Sequence, residues 1–273
     1  MAKEIVILTE SETRHTYFRL MLGIDNRFKV IGSFCEGDEK SLKNRTFENP
    51  NSSWLEKQHS IARSQSEADF FDQIIINTED VSNPNFIGKD EINDEYVVKK
   101  IEELKPDILV CYGSSLIKSR LLKTFSGRFL NVHLGLSPYY RGSGTNVWPI
   151  INGELEMIGA TYMYIDEGID TGKIIHQIRA DILLGDSPHT IGNRLIAKMT
   201  KVYADLIAAF DDLYEEKQPQ GEGKLYFEKD FNEESCRKLY DQLSNGLVEN
   251  FLLNNATDTL SNIVQNRVFS GSK

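Results

Sequence analysis

Residues 93–113, NDEYVVKKIEELKPDILVCYG, restrict the fold more than any other stretch. Val97, Ile101 and Leu104 recur at helical spacing, and Pro106 ends that helix because proline lacks an amide donor and clashes with the preceding turn. DILVCY then follows as a short apolar strand. The same alternation runs through the first 150 residues. EIVILT (4–9) reads as a buried strand, 11–23 as a helix with Thr9 or Ser11 as its N-cap, and KVIGSFC (29–35) as a second strand. Residues 36–52 read as a loop, 54–73 as a long helix, and IIIN (74–77) as a strand. Helix 116–124 and strand 128–132 follow, then a loop over 134–146.

Alternating strands and helices point to an α/β, Rossmann-like fold with a mostly parallel, doubly wound sheet. Beyond residue 150 the pattern changes. ATYMYID (160–166) and KIIHQIRADI (173–182) read as two strands joined by a GIDTG turn, a hairpin added to that sheet. An amphipathic helix covers 187–214. QPQGEG (218–223) reads as a hinge, and 232–265 as helical. The expected division is a main domain over 1–215 and a small C-terminal helical extension over 224–273.

The chain has 273 residues, enough to bury a large core. Its formal net charge is −10, which disfavours electrostatic binding to a nucleic-acid backbone. No apolar run reaches the roughly 18 residues of a membrane span, and MAKEIVILTESE does not read as a signal peptide. Cys35, Cys111 and Cys236 are scattered, without CxxC spacing, so neither a disulfide framework nor a metal site is expected. A cytoplasmic protein is the expectation.

The chemistry concentrates between Asn131 and Gly172. Asn131 and His133 lie two apart near a strand end, on one face of the strand. The carboxyl ends of parallel strands are where open α/β sheets hold their ligands. Asp170, in the GIDTG turn, can return toward His133. An amide donates to a developing oxyanion without ionising, a histidine donates or carries a proton, and a carboxylate orients the histidine or accepts a proton. Taken singly, each residue fits an ordinary structural role; their order and spacing point to acyl transfer.

The run NVHLGLSPYYRG followed by DEGIDTG resembles the folate-dependent formyltransferases, most strongly over 105–182. The resemblance implies a domain that binds 10-formyltetrahydrofolate as cosubstrate, with Asn131, His133 and Asp170 catalytic. It also implies cofactor contacts at Ser115, Leu116, Asp166 and Ile169. One departure stands inside the stretch: many members have a histidine where this chain has Met163.

The resemblance leaves the formyl acceptor open. LTESETRHTYF lacks the glycine-rich phosphate loop of the glycinamide ribonucleotide enzymes, and Glu10 and Glu12 would repel a phosphate. Residues 224–273 are too short and too helical for the C-terminal barrel of the methionyl-tRNA enzymes. No room precedes the first strand for the regulatory domain of the hydrolase relatives. An amino sugar, nucleotide-activated and bound for surface glycans, remains the expected acceptor, as in enzymes of the pseudaminic-acid type. Arg14, His15, Arg63 and Tyr139 are the expected substrate contacts, and a homodimer is expected, with no nucleic-acid or membrane partner. The alternatives are a non-catalytic folate- or nucleotide-binding module, and transfer of another one-carbon or carbamoyl group.

Overall fold

A computed structural model of the chain describes residues 2–219, 223–254 and 263–269. Its main sheet has seven strands. In chain order they are β1 (Lys3–Glu10), β2 (Phe28–Glu36), β3 (Pro84–Ile87), β4 (Ile108–Tyr112), β5 (Phe129–His133), β7 (Gly159–Tyr164) and β8 (Ile174–Arg179). They lie side by side as β3-β2-β1-β4-β5-β7-β8. The first five are parallel; β7 runs antiparallel to both β5 and β8. The expected doubly wound sheet with an added hairpin is thus present.

The sheet divides the core. On β1, Ile5 and Ile7 enter one apolar cluster, while Val6 and Leu8 enter another on the opposite face. This is why EIVILT carries no polar alternation: helices cover both of its faces. The larger cluster gathers residues of α1 (Thr13–Gly23), α3 (Trp54–Ile76) and α7 (Pro188–Ala208); the smaller lies against α4 (Glu95–Leu104) and α5 (Ser119–Thr124).

Several elements differ from the sequence expectation. IIIN is not a strand but the end of α3 and its cap, with Ile75 packed on the core and Ile74 and Ile76 exposed. The strand beside β2 is PNFI, which begins on Pro84, where the missing donor is tolerated. The 36–52 loop contains α2 (Leu42–Glu48), whose N-cap Ser41 accepts from the Asn44 amide at 3.2 Å. Neither Thr9 nor Ser11 caps α1: Glu12 holds that place, and the Thr9 hydroxyl donates to the Tyr112 carbonyl at 2.7 Å. Helix α5 starts three residues late because the Asn93 side chain takes the Leu116 carbonyl and the Lys118 amide.

The segment after β5 contains β6 (Tyr140–Gly142), which pairs with β9 (Lys224–Tyr226), and α6 (Trp148–Asn152). Of the expected hinge, 220–222 lie outside the described residues, and Gln218 instead donates to the carbonyls of Asp170 and Gly172 at 2.9 and 2.7 Å. The expected helix over 232–265 is α8 (Glu233–Ser244) and α9 (Leu247–Leu253), separated by Gly246 at φ +80°. Residues 255–262 lie outside the described part. Residues 263–266 have no regular secondary structure, and the Gln177 amide on β8 donates to the Val264 carbonyl at 2.8 Å. Among the described residues no helix is long and apolar enough to cross a membrane.

Candidate active site

Asn131 and His133 end β5, between Cys111 of β4 and Met163 and Thr161 of β7. The loop after His133 is held from below by Thr161, whose hydroxyl donates to the Gly135 carbonyl and accepts from the Ser137 amide and the Gln177 side chain. Gly135 has to be glycine. A Cβ there would stand 2.5 Å from His133 Nε2 and 2.6 Å from the Tyr140 carbonyl.

The His133 ring is buried and faces an acceptor at each nitrogen. Nε2 lies 3.0 Å from the Tyr140 carbonyl and Nδ1 lies 3.3 Å from Asp170 Oδ2. A ring that donates at both nitrogens satisfies both partners. Asp170 sits in the left-handed region at φ +54° and accepts the Gly142 amide at 2.9 Å. Gly142 itself, at φ +89°, presses so close to β9 that a Cβ would stand 2.2 Å from the Tyr226 carbonyl. The β6–β9 pairing therefore aims a backbone donor at Asp170. That contribution is invisible in the sequence motif, and only the paired glycines of YRG and DTG hinted at close backbone approach.

A cavity of about 290 Å³ opens beside these groups. Asn131, Asp170 and Met163 line it, as do all four expected cofactor contacts, Ser115, Leu116, Asp166 and Ile169. Leu116 and Ile169 are 61% and 43% exposed, so two apolar side chains stand uncovered at its wall. Asp166 is committed to its own loop, accepting from the Gly168 amide and the Thr171 hydroxyl. Asn131 and Asp170 thus share one cavity, and Asp170 carries the link to His133.

A second cavity, about 670 Å³, opens at the 134–147 loop. Leu134, Ser143 and Val147 from that loop line it, together with residues of α2, α3, α7 and the chain around Glu228–Glu233. Two of the expected substrate contacts, Arg14 and Arg63, are on its wall; His15 and Tyr139 line neither cavity. His59 and His189 also line it, with ring centroids 4.9 Å apart. Burial first, then the neighbouring charges, pushes His59 down to about 3 and His189 to about 4, so both are neutral near pH 7.

At the carboxyl end of β1, charges close on one another. Arg14 donates to both Glu67 oxygens, at 3.1 and 3.2 Å, and to Glu12; Lys89 reaches Glu10 at 2.6 Å and Glu36 at 3.4 Å. Burial raises Glu12, but the Arg14 and Arg63 charges outweigh it and hold Glu12 at about 2. Burial pushes His15 well below the ordinary histidine value, with Arg14 adding to it, and among the described residues Nδ1 has no hydrogen-bond partner. Potential ligand atoms of Glu10, Glu12 and His15 lie within 4.8 Å of one another, but both carboxylates already carry a protein cation.

Residues 48–207 match the family described as formyl transferase. The chain is 36% identical over 122 residues to the methionyl-tRNA formyltransferase of Desulforamulus reducens, covering 44% of this chain and 38% of that protein. It is 30% identical over 175 residues to the methionyl-tRNA formyltransferase of Clostridium beijerinckii, covering 63% of this chain and 52% of that one. The matched part is therefore about half or less of these relatives. Among solved structures, phosphoribosylglycinamide formyltransferase from Anaplasma phagocytophilum superposes with a TM-score of 0.56 at 16% identity, over 84% of this chain and 100% of that one. WlaRD, a sugar 3N-formyl transferase determined in the presence of dTDP and 5-N-formyl-THF, gives 0.52 at 22%, over 85% and 72%. Both likenesses are of fold.

Proposed function

The chain belongs to the formyl transferase family, and from that premise we propose that it transfers a formyl group from 10-formyltetrahydrofolate to the amine of a nucleotide-activated amino sugar. One observation carries the reading: Asp170 lines the smaller cavity with Asn131 and reaches His133 at 3.3 Å. An oxyanion donor, a proton-carrying ring and a carboxylate thus meet at one strand end.

The smaller cavity suits the folate. Leu116 and Ile169 offer apolar surface to a flat ring, and the Asp166–Gly172 loop offers backbone groups for its polar edge. The acceptor enters from the larger cavity, whose wall includes Leu134, the residue that follows His133. The acceptor amine then forms a C–N bond to the formyl carbon. Asn131 donates to the oxygen on which charge develops, at the moment it develops, and His133 joins it when its Nε2 exchanges the Tyr140 carbonyl for that oxygen. Asp170 holds His133 in place and receives the proton that leaves the amine, directly or through water. As the old C–N bond breaks, the proton taken up by Asp170 passes to the leaving nitrogen, and tetrahydrofolate departs.

WlaRD, a sugar 3N-formyl transferase determined in the presence of dTDP, supports the nucleotide-sugar acceptor by likeness of fold. The names of the curated relatives favour a second acceptor, methionyl-tRNA. Against it stands a net charge of −10 on this chain. The deciding experiment measures tetrahydrofolate release with 10-formyltetrahydrofolate and each acceptor in turn: nucleotide-linked amino sugars, glycinamide ribonucleotide and methionyl-tRNA. Release with an amino sugar that disappears in Asn131→Ala is the expected result. Turnover with methionyl-tRNA alone would replace the acceptor, and turnover unchanged in Asn131→Ala would remove the mechanism.

A further inference from the structure

The larger cavity contains equal numbers of opposite charges, four cations (Arg14, Arg45, Arg63, Lys229) and four carboxylates (Glu56, Glu67, Glu228, Glu233). Their commitments are unequal. Glu67 takes both Arg14 and the Nε of Arg63, at 3.1 Å in each case. Glu228 pairs with Arg45, and Glu233 pairs with Arg237 at 2.9 Å. Glu56 accepts the Ser53 amide at 2.8 Å in the cap of α3. Every carboxylate in the cleft thus has a partner from the protein.

The cations are not all used. Arg63 spends only Nε on Glu67; among the described residues its two terminal nitrogens donate to nothing, and its side chain is 32% exposed. Lys229 has no carboxylate partner among the described residues; its ammonium lies 5.8 Å from the Phe227 ring. The neighbouring imidazoles add no charge of either sign, because burial keeps both neutral. The hydrogen-bond donors left over in the cleft are therefore cationic, and Glu56 is the one carboxylate there whose partner among the described residues is an amide rather than a cation. A guanidinium fork with both terminal nitrogens free is the geometry that grips two oxygens of one group.

We propose that the larger cavity holds an oxyanion of the acceptor, a phosphate or a carboxylate, on the free fork of Arg63, with Lys229 as a second cation at the same cleft. This deepens the reading of the cleft as the acceptor site and rests on it. Arg14 lies on the wall but is consumed by Glu67 and Glu12, and His15 lies behind it; neither supplies the contact.

Calorimetric titration tests this without formyl transfer, using three probes: uridine diphosphate, inorganic pyrophosphate and glucuronate. Wild type binds at least one of them, and Arg63→Gln weakens that binding by about tenfold or more, the loss of a charge-assisted pair. Binding of uridine diphosphate or pyrophosphate assigns the site to phosphate; binding of glucuronate alone assigns it to carboxylate. Arg63→Lys keeps the charge but not the fork, so it binds between the two, and a melting curve confirms that each variant is folded. If none of the three probes binds wild type, or if Arg63→Gln or folded Arg63→Lys binds as tightly as wild type, the subsite is overturned. A positive titration with no turnover on any acceptor would remove the formyl-transfer reading and leave the anion site standing.

Discussion

Two strand ends of the same sheet carry similar residues and treat them differently. At β5 a histidine meets a carboxylate, His133 with Asp170; at β1 a histidine meets two, His15 with Glu10 and Glu12. At β5 no Lys or Arg among the described residues neutralises Asp170, and a cavity opens beside it. At β1 both carboxylates carry a cation, and the imidazole is sealed at 1% exposure against the Tyr112 ring. Residue type does not separate the cluster proposed to be reactive from the structural one. What separates them is whether the protein has already supplied the counter-charge and whether space remains for a ligand.

The comparison predicts opposite failures. At β1, Lys89→Met leaves Glu36, fully buried, without its cation, and leaves Glu10 with only Arg14, 3.9 Å away. Breaking such a pair from one side costs about 3–5 kcal/mol, so chemical denaturation shows a large loss of stability. At β5, Asn131→Ala removes one oxyanion donor. Turnover falls about 100- to 1000-fold, roughly 2.7–4 kcal/mol in the barrier, while the denaturation midpoint hardly moves. A stability loss at Asn131 equal to that at Lys89 would erase the distinction between the two ends.

Gly142→Ala tests how the β5 end is aimed. The added methyl meets the Tyr226 carbonyl and forces a side chain into φ +89°, about 1–3 kcal/mol of strain. Either the β6–β9 pairing or the Gly142–Asp170 bond is lost, so turnover drops without any change to the three groups themselves. A variant that is less stable yet turns over normally would show that Asp170 needs no backbone donor.

The buried histidines give the next effect. His59, His176 and His189 stand at about 3, 4 and 4 when folded, against 6.5 when unfolded. Folding therefore keeps protons off them. Their contribution is fully present above pH 6.5 and is lost as pH falls toward 4, by up to about 1.4 kcal/mol per pH unit for each ring. In His59→Gln the slope of stability against pH between about 5 and 6 becomes shallower by one proton. An unchanged slope would mean that His59 titrates alike in both states.

Most of the sheet was legible because its strands are short apolar runs and its helices stop at marked residues, as α4 does before Pro106. The failures share a cause. Ile74–Ile76 carry strand-like residues, yet the capping box of Ser53 and Glu56 starts a helix that packing carries through them. The smaller site was legible because its parts lie in two linked motifs on adjacent strands. The larger cavity was not, because it collects α2, α3, α7 and the Glu228–Glu233 segment, remote in sequence. Arg14 and His15 read as free substrate contacts because nothing in TESETRH reveals that Glu67, 53 residues beyond Arg14, absorbs the charge.

Met163 gives the smallest effect and the finest test of the β5 end. It stands opposite Asn131 on β7, is 1% exposed, and lines the smaller cavity. An apolar thioether there can only pack; it supplies no hydrogen bond to an oxyanion. Met163→Leu therefore costs less than about 1.5 kcal/mol in stability and leaves turnover near wild type, because volume is kept and no donor is lost. A steep loss of turnover in a stable Met163→Leu protein would mean that the side chain shapes the folate pocket itself, and that the chemistry of this strand end extends beyond Asn131, His133 and Asp170.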